Sequence, residues 1–118
     1  MLGLAFKEDT PDLRNTRVID IVRELEDYGA TVLVHDPVVD AKEAREEFRL
    51  ELVPVEALEG LAGAGADEPA RYDAAILAVA HRPFVALGAE GVRRWLKPEG
   101  YLYDVKYAFG ADQVDGRL

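Results

Sequence analysis

Asp73-Ala-Ala-Ile-Leu-Ala-Val79 is the stretch on which the reading of this chain turns. It is an almost unbroken apolar run, the pattern of a strand buried on both faces rather than one with a wet side. Its neighbours fit the same scheme. Leu2-Gly-Leu-Ala-Phe6, Thr31-Val-Leu-Val-His35, Leu50–Val53 and Tyr101-Leu-Tyr-Asp-Val105 are further strand candidates, and amphipathic stretches separate them. Val18, Ile21, Val22 and Leu25 recur at i, i+3, i+4 and i+7, so one stripe of a helix is buried. Asn15 or Thr16 can cap its start and Gly29 its end. Asp40-Ala-Lys-Glu43 is a capping-box pattern opening a short helix through Ala41, Ala44 and Phe48. Pro54 can start one or two helical turns through Val55, Leu58 and Leu61, and Pro83 to Leu96 reads as a further helix. Ala62 to Ala70 has loop composition, Lys97-Pro98-Glu99-Gly100 that of a turn, and beyond Lys106 the pattern fades into loop. The alternation predicts an α/β, Rossmann-like, doubly wound fold: a mostly parallel sheet of about five strands with helices on both faces.

The chain has 118 residues with Lys+Arg 14 against Asp+Glu 23, a formal net charge of −9. That length predicts one domain over residues 1–118, able to bury about two-thirds of its extended surface. With no cysteine and no serine, disulfides, thiolate metal sites and the usual nucleophiles are absent from these residues. Two histidines, His35 and His81, leave little for a metal site, so none is expected. An acidic chain is a poor partner for DNA or RNA. No apolar run reaches the roughly 20 residues of a membrane span and no signal peptide opens the chain, so a cytoplasmic setting is expected.

A small phosphorylated ligand remains compatible with this charge, since it needs only two or three placed cations. Ligands of open parallel sheets bind beyond the carboxyl ends of strands, where the strand order reverses. Lys7 follows the first apolar run and Lys106 the last; an ammonium there suits phosphate or carboxylate. Arg14, on the turn after Lys7, can add a bidentate contact. The bland alternatives are solvated lysines and a helix-entry loop with Pro11 in the first turn and Asp12 as cap. His35 reads as structural, and His81, at a strand's carboxyl end, as a position a ligand could touch. Gly60-Leu-Ala-Gly-Ala-Gly65 has the wrong order for a dinucleotide fingerprint and follows a helix rather than a strand.

Leu2-Gly-Leu-Ala-Phe-Lys-Glu-Asp-Thr-Pro-Asp-Leu-Arg-Asn-Thr16 resembles the signature that opens the C-terminal domain of UDP-glucose/GDP-mannose dehydrogenases. Val32 to Pro37, Ala75 to Phe84 and Tyr103-Asp104-Val105-Lys106 fit the same family, nearest its UDP-N-acetylhexosamine branch. The resemblance implies the UDP-sugar-binding domain of a cytoplasmic enzyme that oxidises C6 of a nucleotide sugar to a carboxylate for polysaccharide biosynthesis. Such an enzyme uses two NAD molecules and a catalytic cysteine carried by preceding domains. It further implies that those preceding parts, an NAD-binding domain and a central dimerising one, are the partners of this segment, and that the whole protein is a homo-oligomer. This fragment alone is then expected to be inactive. Carried over position by position, Phe6, Lys7 and Lys106 match substrate contacts, and Arg14 matches an arginine reaching toward NAD. Pro11 departs from the family pattern, as does the length of the 62–70 loop.

Two other functional classes share the composition. A receiver-type signalling domain needs acidic residues at the end of the first strand, where this chain has Phe6-Lys7. A non-catalytic nucleotide-binding or subunit-contact module would use the same surface as the leading reading.

Overall fold

The computed structural model describes residues 1–58 and 72–118. The loop expected at 62–70 lies outside the described residues. Three helices have defined ends: α1 Val18–Asp27, α2 Ala41–Phe48 and α3 Arg82–Arg93. Three strands form one sheet: β1 Tyr72–Leu77, β2 Leu96–Asp104 and β3 Gly116–Arg117, in the order β1-β2-β3 with both pairings parallel. The architecture is therefore α/β with a parallel sheet.

Sequence chemistry accounts for the helix ends. The Thr16 hydroxyl donates to the Leu4 carbonyl at 2.6 Å and accepts the Val18 N–H at 3.3 Å, tying the entry of α1 to the first apolar segment. Gly29, at φ 93°, takes the left-handed position just past α1 that favours glycine. Asp40 accepts the Lys42 N–H at 2.8 Å and caps α2. His81 supplies no side-chain cap to α3; instead the Asp9 carboxylate, distant in sequence, accepts the Arg82 N–H at 2.9 Å. Gly88, at φ 74° and ψ 170°, breaks helical geometry inside α3, so the continuous helix expected from Pro83 to Leu96 is kinked, and Leu96 already belongs to β2.

Among the described residues the expected count of about five strands is not met, since three segments read as strands meet the sheet only through single parallel bridges. Leu2 bridges both His35 and Leu77, and Val34 bridges Leu52. Across the sheet the neighbours therefore run Leu52, Val34–His35, Leu2, β1, β2, β3. The first segment cannot extend its ladder because Gly3 turns at φ 100° directly after Leu2. The last strand is longer than expected: β2 pairs Leu96 with Tyr72 and then Tyr101 with Ala74, so the Lys97–Gly100 turn is an irregularity inside the strand. The tail is not all loop either. A 3₁₀ turn at Ala111–Gln113 leads into β3, held where Arg93 donates to the Gln113 carbonyl and the Asp115 carboxylate. Asp73 and Ala74 are exposed, so burial of the decisive apolar run begins only at Ala75, with Ile76 half-buried.

Two apolar clusters flank these elements. Leu4, Leu13, Val18, Val22, Val34, Ala44 and Val79 pack with α1 and α2, while Leu2, Leu77, Phe84, Val92, Trp95 and Leu102 pack with α3.

Candidate functional site

A groove of about 250 Å³ opens where the first segment, β1 and β2 end. Ala5 and Phe6 of the first segment, Ala78 and Val79 beyond β1, and Val105 and Lys106 beyond β2 line it, together with Asn15 to Val18 at the start of α1. The geometry thus joins Phe6 and Lys106, two of the four residues singled out from sequence. It adds Arg17, a groove residue the sequence reading did not select, whose 89% exposed guanidinium contacts Asp20 at 3.3 Å. Phe6 is half exposed at the rim.

Lys7 and Arg14 stand outside the groove lining. Lys7 is exposed beside Phe6; the Arg14 side-chain and backbone hydrogen bonds hold the Asp12 carboxyl below its ordinary range, and the charges of Arg14 and then Lys7 add to this. Arg14 grips Asp12 with two contacts, 3.1 and 3.2 Å, and projects into solvent. Asp12 also accepts the Arg14 N–H at 2.8 Å, so it organises the loop rather than capping a helix, and Pro11 lies well before the first residue of α1.

Lys106 is placed by its neighbour. Asp104, fully buried, accepts the Lys106 N–H at 3.0 Å and the Phe109 N–H at 2.9 Å, which folds the segment after β2 over its end. Asp36 does the same service on a larger scale. Its carboxylate accepts the N–H groups of Leu4, Ala5, Val38 and Val39 at 2.7–3.0 Å. Its fifth partner is His81 Nε2 at 2.9 Å. Burial pushes the Asp36 carboxyl upward, but the His81 and backbone hydrogen bonds outweigh it and hold the group well below the usual carboxylate range.

His81, whose role the sequence leaves open, is not a ligand contact in this structure. It is 0% exposed, so no ligand reaches it. Nδ1 accepts the Asp9 N–H at 2.8 Å, which leaves Nε2 to carry the proton toward Asp36. His35 is structural as read, buried with Nδ1 2.7 Å from the Val53 carbonyl. Part of the signal for the Asp36–His81 pair was present in the sequence. Both are polar residues closing apolar runs, which marks each as a buried polar group in need of a partner; that the two runs flank the first segment, and so bring the pair together, is decided by the fold.

A second cavity, about 600 Å³, lies at the opposite ends of the strands, between Leu25, Leu58, Tyr72 and Trp95. It is larger, and among the described residues no lysine or arginine lines it. The described residues contain no cluster of metal-ligating side chains, and none of their helices is long and apolar enough to cross a membrane.

The profile described as "UDP-glucose/GDP-mannose dehydrogenase family, UDP binding domain" matches residues 1–111. The chain belongs to the UDP-glucose/GDP-mannose dehydrogenase family. Among relatives in this family, a UDP-N-acetyl-D-glucosamine 6-dehydrogenase of Pseudomonas aeruginosa is 45% identical over 118 residues, all of this chain and 25% of the relative. One of Salmonella typhi is 42% identical over the same share of both. A UDP-glucose 6-dehydrogenase, AglM, of Haloferax volcanii is 38% identical over 90 residues, 76% of this chain and 19% of its own length. The chain thus spans a quarter of the length of the first two of these dehydrogenases.

Proposed function

We propose that this UDP binding domain holds the diphosphate of a UDP-sugar within a cytoplasmic, NAD-dependent 6-dehydrogenase that converts the C6 alcohol to a carboxylate for polysaccharide assembly. UDP-N-acetylhexosamines are the favoured substrates, on the strength of the two relatives with full coverage of this chain. The single observation that carries the reading is the groove at the carboxyl ends of the first segment, β1 and β2, closed by Lys106, Arg17 and the start of α1. The neighbour order reverses there, between Leu2 and Leu77, so the sheet is read as doubly wound, the bridged segments taking the places of the missing strands and the helices covering both faces. A helix start and two cations suit a diphosphate, and the rim ring of Phe6 suits the flat face of a base.

At about 250 Å³ the groove is smaller than the roughly 300–1,000 Å³ of a complete small-molecule site. The sugar is therefore placed at its mouth, against another part of the protein, which also supplies the catalytic cysteine. The described residues form no dinucleotide cradle of their own after the first apolar segment. The path from Leu2 to α1 is long, and its one glycine, Gly3, is packed against Val79 instead of facing a ligand. The reaction oxidises the alcohol by four electrons, so two hydrides leave as two NADH and water supplies the second carboxylate oxygen. The residues here bind and orient; none of them carries a step of that chemistry. Arg14, outside the groove, is assigned to the face turned toward the NAD-holding part, and the whole protein to a homo-oligomer.

An amide NMR titration with UDP tests this. Shifts are expected at residues 5–7, 15–18, 78–79 and 105–106, with weak affinity. Lys106→Ala should weaken binding about tenfold or more, the equivalent of a charge-assisted contact of roughly 1.5–3 kcal/mol, and Lys7→Ala, which removes a cation from the exposed loop beside Phe6 rather than from the lining, should weaken it by less. Shifts centred on Leu25, Leu58 and Trp95 would refute the placement.

A further inference from the structure

The loop carrying Phe6 and Lys7 is clamped at both ends by one buried pair. Before the loop, the Ala5 N–H donates to Asp36 Oδ2 at 3.0 Å. After it, the Asp9 N–H donates to His81 Nδ1 at 2.8 Å. The two acceptors are joined to each other, His81 Nε2 lying 2.9 Å from the same Asp36 oxygen. Phe6, Lys7 and Glu8 are the exposed residues between these anchors. The Asp9 backbone turns left-handed at φ 58°, and its carboxylate is engaged by the Arg82 N–H at 2.9 Å and the Arg82 side chain at 3.4 Å. The Phe6 N–H closes the loop onto the Asp12 carbonyl at 2.7 Å.

We propose that His81 is a positioning residue for nucleotide binding: through its Nδ1 contact with Asp9 it holds the Phe6–Glu8 segment in the bound geometry before any ligand arrives. This rests on the proposed UDP site, and it assigns to a side chain that never touches the ligand part of the affinity for it. A loop already ordered loses less conformational freedom on binding. His81 suits the task because one ring can accept from the loop and donate to a carboxylate at once.

Two substitutions separate positioning from packing. His81→Gln can keep the donor toward Asp36 while losing the acceptor at the Nδ1 place; His81→Asn can keep an acceptor at that place while losing the donor. Both should lower the urea midpoint of the chain. Only His81→Gln should weaken UDP about tenfold in the same NMR titration, with His81→Asn staying within about threefold of the parent. Equal UDP affinity in His81→Gln and the parent overturns the proposal, as does a loss that merely follows stability in both variants. If neither variant folds, the unsubstituted chain decides. Slow exchange of the Asp9 amide and rigid Phe6–Asp9 amides without UDP uphold the proposal; a mobile segment that orders only with UDP overturns it. No UDP binding by the parent chain at all would instead remove the reading beneath.

Discussion

Asp36→Ala is expected to leave the chain unfolded in the absence of denaturant. Five N–H groups converge on this carboxylate, and three of the residues that supply them, Leu4, Ala5 and His81, are at most 1% exposed. A methyl group satisfies none of them and leaves a space water would have to enter. An orphaned buried donor costs about 1–3 kcal/mol, and a domain of this size has only about 5–15 kcal/mol in all. Far-ultraviolet circular dichroism and a urea titration read the result. A variant whose midpoint corresponds to a loss of less than about 1 kcal/mol would show that the convergence is not structural.

The same carboxylate gives the chain a defined acid limit. Its folded-state value lies below the ordinary 3.8, so the stability it contributes is fully present above that value and is lost as pH falls toward the folded one. Stability should therefore be insensitive to this group between about pH 7 and 5 and decline below about 4. A carbon-detected NMR titration should show the Asp36 carboxyl still ionised where surface carboxylates have taken up protons. Titration of Asp36 between pH 4 and 5 would contradict the hydrogen-bond account.

Gly3→Ala is the second large effect. Gly3 sits at φ 100°, where an L side chain is strained, and a β-carbon there would lie 2.6 Å from Val79 Cβ and 2.8 Å from the Val79 backbone nitrogen. Neither neighbour is a flexible side-chain end, and Val79 is 1% exposed, so the two segments would have to part. Overpacking and backbone strain each cost about 1–3 kcal/mol, and here they act together, for an expected loss of roughly 3–5 kcal/mol in urea unfolding. The groove should suffer in the same variant, since Ala78 and Val79 line it. A stability within about 1 kcal/mol of the parent would mean that this crossing is looser than drawn.

Much of this protein was legible in its residues. Helical periodicity placed α1, Asp40 marked the start of α2, Gly29 the end of α1, and apolar runs found every segment that joins the sheet except β3. The opening motif and the lysine after β2 named two of the groove's residues, Phe6 and Lys106. Those features are local, set by side-chain period, capping chemistry and backbone freedom within a few residues. What only the folded chain decided depends on contacts between distant segments. Gly3 cuts the first strand short because Val79 presses against it, β3 exists because Arg93 and Asp115 hold two residues against β2, and Arg14 turns to Asp12 instead of the groove. Above all, the role of His81 was open, a ligand contact at a strand end being one reading. It proved a buried link between Asp36 and Asp9, because a polar side chain deprived of water takes whatever partner the fold brings to it.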